Sequence, residues 1–380
     1  AITGVKAYLN EEKKENASLA LLGELDALRI PEHAYVNPET DAAHCCGHHA
    51  QMAGIFGAAL ALTVPEIAEK LGGQVVFFAT PAEEYGEIEF KNQLREQGKI
   101  RYGGGKCELI RTGAFDDIDL CLAHHIQQGD EIQVGSGTGN GFVSKVIRYL
   151  GKAAHAAGAP DKGVNALSAA SLGLQALGLN RETFRDEDCV RVHPIITKGG
   201  NLVNVIPDEI VIETLVRAKT IEAFTDAAKK TDRSFQAGAV AMGAKVEITT
   251  LPGYLPTLAE QALPELKRAA ELAAPEVPVR EAAGHSGGST DVGDVQHLMP
   301  VYTFNTGGVK GGLHQINFEV TNEEEAYIDT AKMFALAAYG LLKEKAARSK
   351  ELVKNYKPVF KDSAEYTKFM EQFDSKEVLD

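Results

Sequence analysis

The stretch HCCGHH at 44–49 places three of the chain's eleven histidines and two of its five cysteines in six consecutive positions. Three chemistries are open to it. A disulfide between the adjacent Cys45 and Cys46 would close a small strained ring and is disfavoured. A nucleophilic thiol needs a base beside it, which His48 supplies, although no local signature of a cysteine hydrolase surrounds the pair. A metal site needs a deprotonated thiol and a neutral imidazole facing one ion, at about 2.3 Å and about 2.0–2.1 Å for zinc, and Cys46 with His48 offers that pair.

Two donors do not complete a metal site. Further donors stand at the ends of two apolar runs: Glu83 and Glu84 after QVVFFATPA, and His124 and His125 closing DLCLA. Adjacent carboxylates can divide labour, one holding an ion while the other takes a proton from water. Read alone, Glu83 and Glu84 are solvated loop charges, but three chain segments converging on one chemistry weaken that reading.

The elements that must position these groups follow from periodicity. SLALLGEL (18–25), QVVFFAT (74–80) and DLCLAHH (119–125) read as buried strands separated by helical segments, which implies a mostly parallel sheet. Ligand crevices of such sheets lie beyond the carboxyl ends of the strands, where the acidic and imidazole groups fall here. From 141 to 253 the order becomes β-α-β-β-α-β, the ferredoxin-like split unit. The chain therefore reads as α/β with two domains: a catalytic domain formed by 1–138 and 255–345, interrupted by a lid domain at 139–254. A C-terminal helical arm covers 346–380, with Tyr356, Phe360, Tyr366, Phe369 and Phe373 at helix-like spacing. The polar stretch 85–106 reads as an insertion beside the crevice, of a length often used for lids.

A length of 380 residues with 44% hydrophobic composition allows two cores without staples, and a formal net charge of −14 argues against nucleic acid and anionic membranes as partners. No apolar run reaches the roughly 18 residues of a spanning helix. Five irregularly spaced cysteines do not form a secreted disulfide framework, so a reducing, cytoplasmic setting is expected.

HCCGHH with TPAEE, GAFDDIDLCLAHH, GKAAHAAGAP, NVIPDEI and LHQINFEV, in that order, resembles the zinc-dependent aminoacylase/carboxypeptidase superfamily. Within it the similarity is to the amidohydrolase branch of hippurate, auxin-conjugate and aminobenzoyl-glutamate hydrolases and a β-alanyl-dipeptide dipeptidase, from about Thr3 to Leu342. The resemblance implies metal ligands Cys46, His48, Glu84, His125 and His314, with Glu83 as general acid/base. His125 is preferred to His124 by the same motif. Such a set suits two divalent ions per subunit about 3.5–4 Å apart with a bridging water as nucleophile. Zinc is the first choice, manganese or cobalt the alternatives. Asp26 matches a carboxylate that orients a ligand imidazole, while Glu24 stands where the carboxypeptidase branch has a histidine ligand and is read as supporting. His155 resembles a lid histidine that stabilises the oxyanion in a neighbouring subunit, which implies a homodimer through the inserted domain. Asn204 and Arg217 match a substrate-holding pair, and Gly288 and Ser289 belong to a pocket-lining loop, GHSGGSTD.

The implied activity is hydrolysis of the amide bond in a small N-acyl amino acid or dipeptide, releasing a free amino acid. The alternatives are an inactive metal-binding module that binds a ligand, and a cysteine-dependent amide hydrolase using Cys46. His49, Cys45 and the 85–102 insertion depart from the family pattern.

Overall fold

The computed structural model describes residues 2–379. In chain order its main elements are β1 (Val5–Leu9), β2 (Ser18–Glu24), α1 (His48–Leu62), β3 (Gln74–Thr80), α2 (Ile88–Glu96), α3 (Gly105–Arg111), β4 (Leu120–Gln128), β5 (Ile132–Val134) and β6 (Gly141–Leu150). They continue with α4 (Ala166–Asn180), β7 (Arg191–Val192), β8 (Ile195–Lys198), β9 (Glu209–Ala218), α5 (Ile221–Met242), β10 (Lys245–Tyr254), α6 (Pro264–Ala273), β11 (Val279–Glu281) and β12 (Val301–Lys310). The last are β13 (Glu319–Val320), α7 (Thr330–Asn355), α8 (Ser363–Met370) and β14 (Ser375–Leu379).

A large mixed sheet runs β1-β3-β2-β4-β12-β5-β11, with β13 paired to β12. Its centre, β3-β2-β4-β12, is parallel, and antiparallel pairings lie outside that centre. Central strands are buried on both faces, as their unbroken apolar runs require. Leu19, Leu21, Leu120, Leu122 and Phe304 pack with Met333, Phe334, Ala337 and Leu341 of α7, while Ala20, Leu22, Val76, Phe78 and Cys121 pack on the opposite side with Leu109 and Ile110 of α3. That alternation is the period of two of a strand.

The second sheet is antiparallel, in the order β7-β9-β6-β10-β14 with β8 also on β9. Helices α4 and α5 accompany it, α4 capped by the Asn165 side chain and α5 by Thr220, with Gly243 ending α5 in the left-handed conformation. Two readings change here. The run VRVHPIITKGG forms two short pieces, β7 and β8, with Pro194 between them where no backbone donor is available. The C-terminal segment is helical over α8 but ends as a strand on the second sheet, Val246 facing Leu379 through Thr250 facing Ser375. α7 leaves helical geometry at Lys343–Ala346, next to the boundary placed at 345. Among the described residues no helix is long and apolar enough to cross a membrane.

Candidate metal centre

β2, β3 and β4 deliver their carboxyl ends to one crevice of about 580 Å³, lined by Glu24, Cys46, Glu83, Glu84, His125, Arg217, Gly288, Ser289 and His314 among others. α1 begins at His48 after Gly47, whose φ of 92° and close approach to Ile126, 2.1 Å from where a Cβ would lie, admit only glycine. The turn holding the two glutamates is shaped by its neighbours. A Cβ on Gly105 would lie 1.5 Å from the Pro81 carbonyl oxygen, so the glycine run before α3 lets that helix start directly against the 81–84 turn. Ala82, Tyr85 and His314 hold positive φ of 57°, 51° and 63°, each at a cost on the order of 1–3 kcal/mol that the surrounding packing must offset.

The donor atoms form three groups, with the atoms of each within 4.8 Å of one another: Cys46, His48 and His125; Cys46, Glu84 and His314, which shares its thiol with the first; and Glu24, His48 and Glu83. Cys46 Sγ lies 3.4 Å from His125 Nε2 and 3.3 Å from His314 Nε2, and His314 Nε2 lies 3.3 Å from Glu84 Oε1. His48 Nδ1 faces Asp26 Oδ1 at 3.2 Å, and Asp26 Oδ2 accepts the Glu84 N–H at 3.0 Å, the orienting contact a ligand imidazole calls for. His48 Nε2 and Glu84 Oε1 are buried with no hydrogen-bond partner. Two buried, unpartnered donor atoms facing a thiol and two further imidazoles fit a soft-to-borderline divalent ion better than a purely hydrogen-bonded network.

Electrostatics point the same way. Burial pulls the His48 imidazole down, but Glu24, Asp26 and Glu83 outweigh it and carry the ring up to about 12. Burial pushes the Cys46 thiol up to about 12, the opposite of what an activated nucleophile needs, which counts against the cysteine-hydrolase alternative. Glu83 is raised well above the carboxylate range by burial and then by Glu24 and Asp291. Burial also raises Glu84, but His314 beside it holds it lower. Glu24, Asp26, Glu83 and Glu84 thus surround His48, with Lys106 behind Glu24 and Arg217 across the crevice as the other cationic groups. Zinc uptake near neutral pH is therefore expected to release protons from His48 and Cys46 and to tighten as pH rises, since both groups start protonated. Calorimetry in buffers of different ionisation enthalpy measures this, and uptake without proton release would contradict it.

His124 and His125 face opposite sides of β4: His124 Nε2 bonds Thr306 Oγ1 at 2.8 Å beside Phe304 and Phe334, away from Cys46. His49 packs on His44, Phe318 and Tyr327, and Cys45 stays a buried free thiol. Arg217, on β9, reaches the crevice over the Phe142 ring. His155 and Asn204 do not line this crevice; they neighbour each other on two exposed segments bridged at His155 and Val205, where the Ala156 N–H donates to the Asn204 carbonyl. The insertion is packed down: Tyr85 bonds the Pro252 carbonyl at 2.6 Å, Arg95 pairs with Asp374 at 2.7 Å, and Tyr102 bonds the Thr367 carbonyl at 3.1 Å.

Glu24, read from the sequence as supporting, has its Oε2 3.2 Å from His48 Nε2 and groups with His48 and Glu83, so it faces the donors directly. Two residues outside the sequence-derived set, Lys106 and Asp291, both fully buried, lie behind it. Removing one member of such a buried ion cluster costs about 3–5 kcal/mol, because it strands an opposite charge. GGGK held Lys106 in plain view, but nothing local links it to Asp291.

Residues 20–339 match the profile of peptidase family M20/M25/M40. A mouse protein named Xaa-Arg dipeptidase is 28% identical over 325 residues, covering 83% of this chain and 67% of that protein. Its human counterpart is 29% identical over 323 residues with the same coverages. In fold, the chain is similar to a Bacillus subtilis protein described as a dinuclear metal binding peptidase, with a TM-score of 0.59, 23% identity, and coverage of 90% of this chain and 85% of that one.

Proposed function

The chain belongs to peptidase family M20/M25/M40, and from that premise we propose that it hydrolyses the amide bond of small dipeptides or N-acyl amino acids, releasing a free amino acid. The observation that carries the reading is the convergence of Cys46, His48, Glu84, His125 and His314 around Glu83, in the crevice that Arg217 enters. Those five residues would hold two divalent ions, zinc first and manganese or cobalt as alternatives, supplying Lewis acidity and a water acidic enough to deprotonate near neutral pH. Glu83 takes the proton from the attacking water and returns it to the departing amine. Asp26 keeps the His48 ring in the tautomer with Nε2 free. Arg217 offers a bidentate grip on a substrate carboxylate.

The crevice wall mixes the hydroxyl and amide groups of Gln133, Ser136, Thr138, Ser289, Thr303 and Asn305 with the apolar side chains of Leu22, Phe142, Leu215 and Leu313. The preference for a dipeptide rests on the dipeptidase names of the mouse and human relatives. In this reading 1–138 with 255–345 is the catalytic domain, 139–254 is a lid and dimerisation domain, and the working form is a cytoplasmic homodimer. His155 and Asn204 of the partner subunit complete each site.

A mass-spectrometric screen of metal-reconstituted protein against pooled dipeptides and N-acyl amino acids tests this. Release of an amino acid that a chelator abolishes is expected. Absence of cleavage by protein that holds its ions would move the inactive-module reading ahead.

A further inference from the structure

We propose that Lys106 is a positioning residue for this site: its ammonium group, clasped between Glu24 and Asp291, fixes the Glu24 carboxylate against His48 and beside Glu83. The inference rests on the metal-site reading above. Lys106 has no exposed side-chain surface, and its Nζ lies 2.6 Å from Glu24 Oε1 and 2.6 Å from Asp291 Oδ1. Its own backbone N–H donates to Asp291 Oδ2 at 2.8 Å, so Asp291 fixes both ends of the residue. Glu24 is held from two further directions: Gln51 Nε2 donates to Oε2 at 2.8 Å, and the Glu24 N–H donates to Gln51 Oε1 at 2.8 Å. The oxygen left facing the crevice is Oε2, 3.2 Å from His48 Nε2.

Of the groups that hold Glu24 from behind, Lys106 is the one that carries charge. Water cannot solvate a carboxylate only 7% exposed, and Gln51 supplies dipoles without charge. Lys106 is absent from the crevice lining, whereas Glu24 is part of it. The lysine therefore stands behind the crevice and acts on it through Glu24. Its place is set by the glycines before it: with Gly105 against the Pro81 carbonyl, the first turn of α3 lies under the Glu83–Glu84 turn, and the side chain reaches the end of β2 from behind.

The test compares Lys106→Met, Asp291→Asn, Glu24→Gln and the double variant Lys106→Met/Glu24→Gln. Zinc affinity is measured by chelator competition, the thiolate charge-transfer band on cobalt(II)-reconstituted protein, and kcat and KM on the substrate found for the wild type. Lys106→Met is expected to lose about 10- to 100-fold in zinc affinity or kcat, the range for residues that orient ligands from behind, and to alter the cobalt band. KM should stay within about twofold, since no substrate contact is lost. The double variant should lose little beyond Glu24→Gln alone, because Glu24 is the crevice-lining group that the Lys106 ammonium hydrogen-bonds. Losses that multiply would overturn the proposal, as would folded Lys106→Met protein with wild-type affinity, band and kcat. If Lys106→Met does not fold, Asp291→Asn decides, since it keeps an oxygen for the Lys106 N–H while taking away the charge and the oxygen that clasp the ammonium: the same losses support the proposal, and wild-type behaviour overturns it. A wild-type chain that takes up neither zinc nor cobalt defeats the metal-site reading and this one together, whereas a normal wild type with unaffected variants defeats this one alone.

Discussion

Glu83→Gln protein is expected to turn over about 10²- to 10⁴-fold more slowly than the wild type while keeping its full complement of ions, the range for loss of a general acid/base. Three observations set that expectation. Glu83 is absent from both donor groups that share Cys46, so an amide at 83 removes none of their atoms. Its side chain is 11% exposed and its Oε2 lies 4.0 Å from His48 Nε2, close enough to the donors to serve a water held there. Burial, with Glu24 and Asp291 nearby, also raises its affinity for a proton, which suits a group that must accept one and give it back. Gln matches the shape and hydrogen-bonding reach of Glu, so KM should change little and the loss should fall on kcat. It corresponds to about 3–5 kcal/mol of barrier. Glu84→Gln is the contrasting variant: its Oε1 is a buried donor atom facing His314, so that change should cost metal content first. Metal analysis beside steady-state kinetics separates the two, and a Glu83→Gln enzyme with near-normal turnover would remove Glu83 from the role.

Much of the frame that places Glu83 was legible in the sequence because periodicity reports burial. The unbroken apolar runs at 18–25, 74–80 and 119–125 could be buried on both faces only in a central parallel sheet, and β2, β3 and β4 occupy that place. The β-α-β-β-α-β order was readable because its strands and helices change period cleanly, and the second sheet joins those strands in the order β7-β9-β6-β10. The C-terminal strand was not readable, for a physical reason. Ser375–Leu379 is an edge strand exposed along nearly its whole length, so no apolar alternation marks it, while Tyr366, Phe369 and Phe373 upstream carry a helical spacing. Within the site, His125 was separable from His124 only by motif; the pleat of β4 gives the physical reason, turning one ring to Cys46 and the other to Thr306. Lys106 and Asp291 escaped notice because their partnership spans 185 positions, and a lysine at the start of a helix looks like any solvated charge until the fold buries it.

His155 extends the question from one chain to two. Its Nδ1 accepts the Gly158 N–H at 3.0 Å and the Ala157 N–H at 3.3 Å, so the neutral ring carries its proton on Nε2. That donor sits on an exposed segment beside Asn204 and outside the crevice of its own chain. In the homodimer proposed above, this exposed donor would serve the site of the partner subunit. His155→Ala alone is expected to cost about 10²–10³ in kcat, the range for one oxyanion donor. Mixing His155→Ala with Glu83→Gln subunits should then restore activity to about a quarter of wild type: at random reassortment half the dimers are hybrids, and one of the two sites in each hybrid has both residues intact. Activity of the mixture, with subunit exchange verified by native mass spectrometry, is the measurement. If both residues served the same chain's site, every site in the mixture would lack one of them and activity would stay at the level of the single variants. Recovery toward a quarter therefore separates a shared site from a self-contained one.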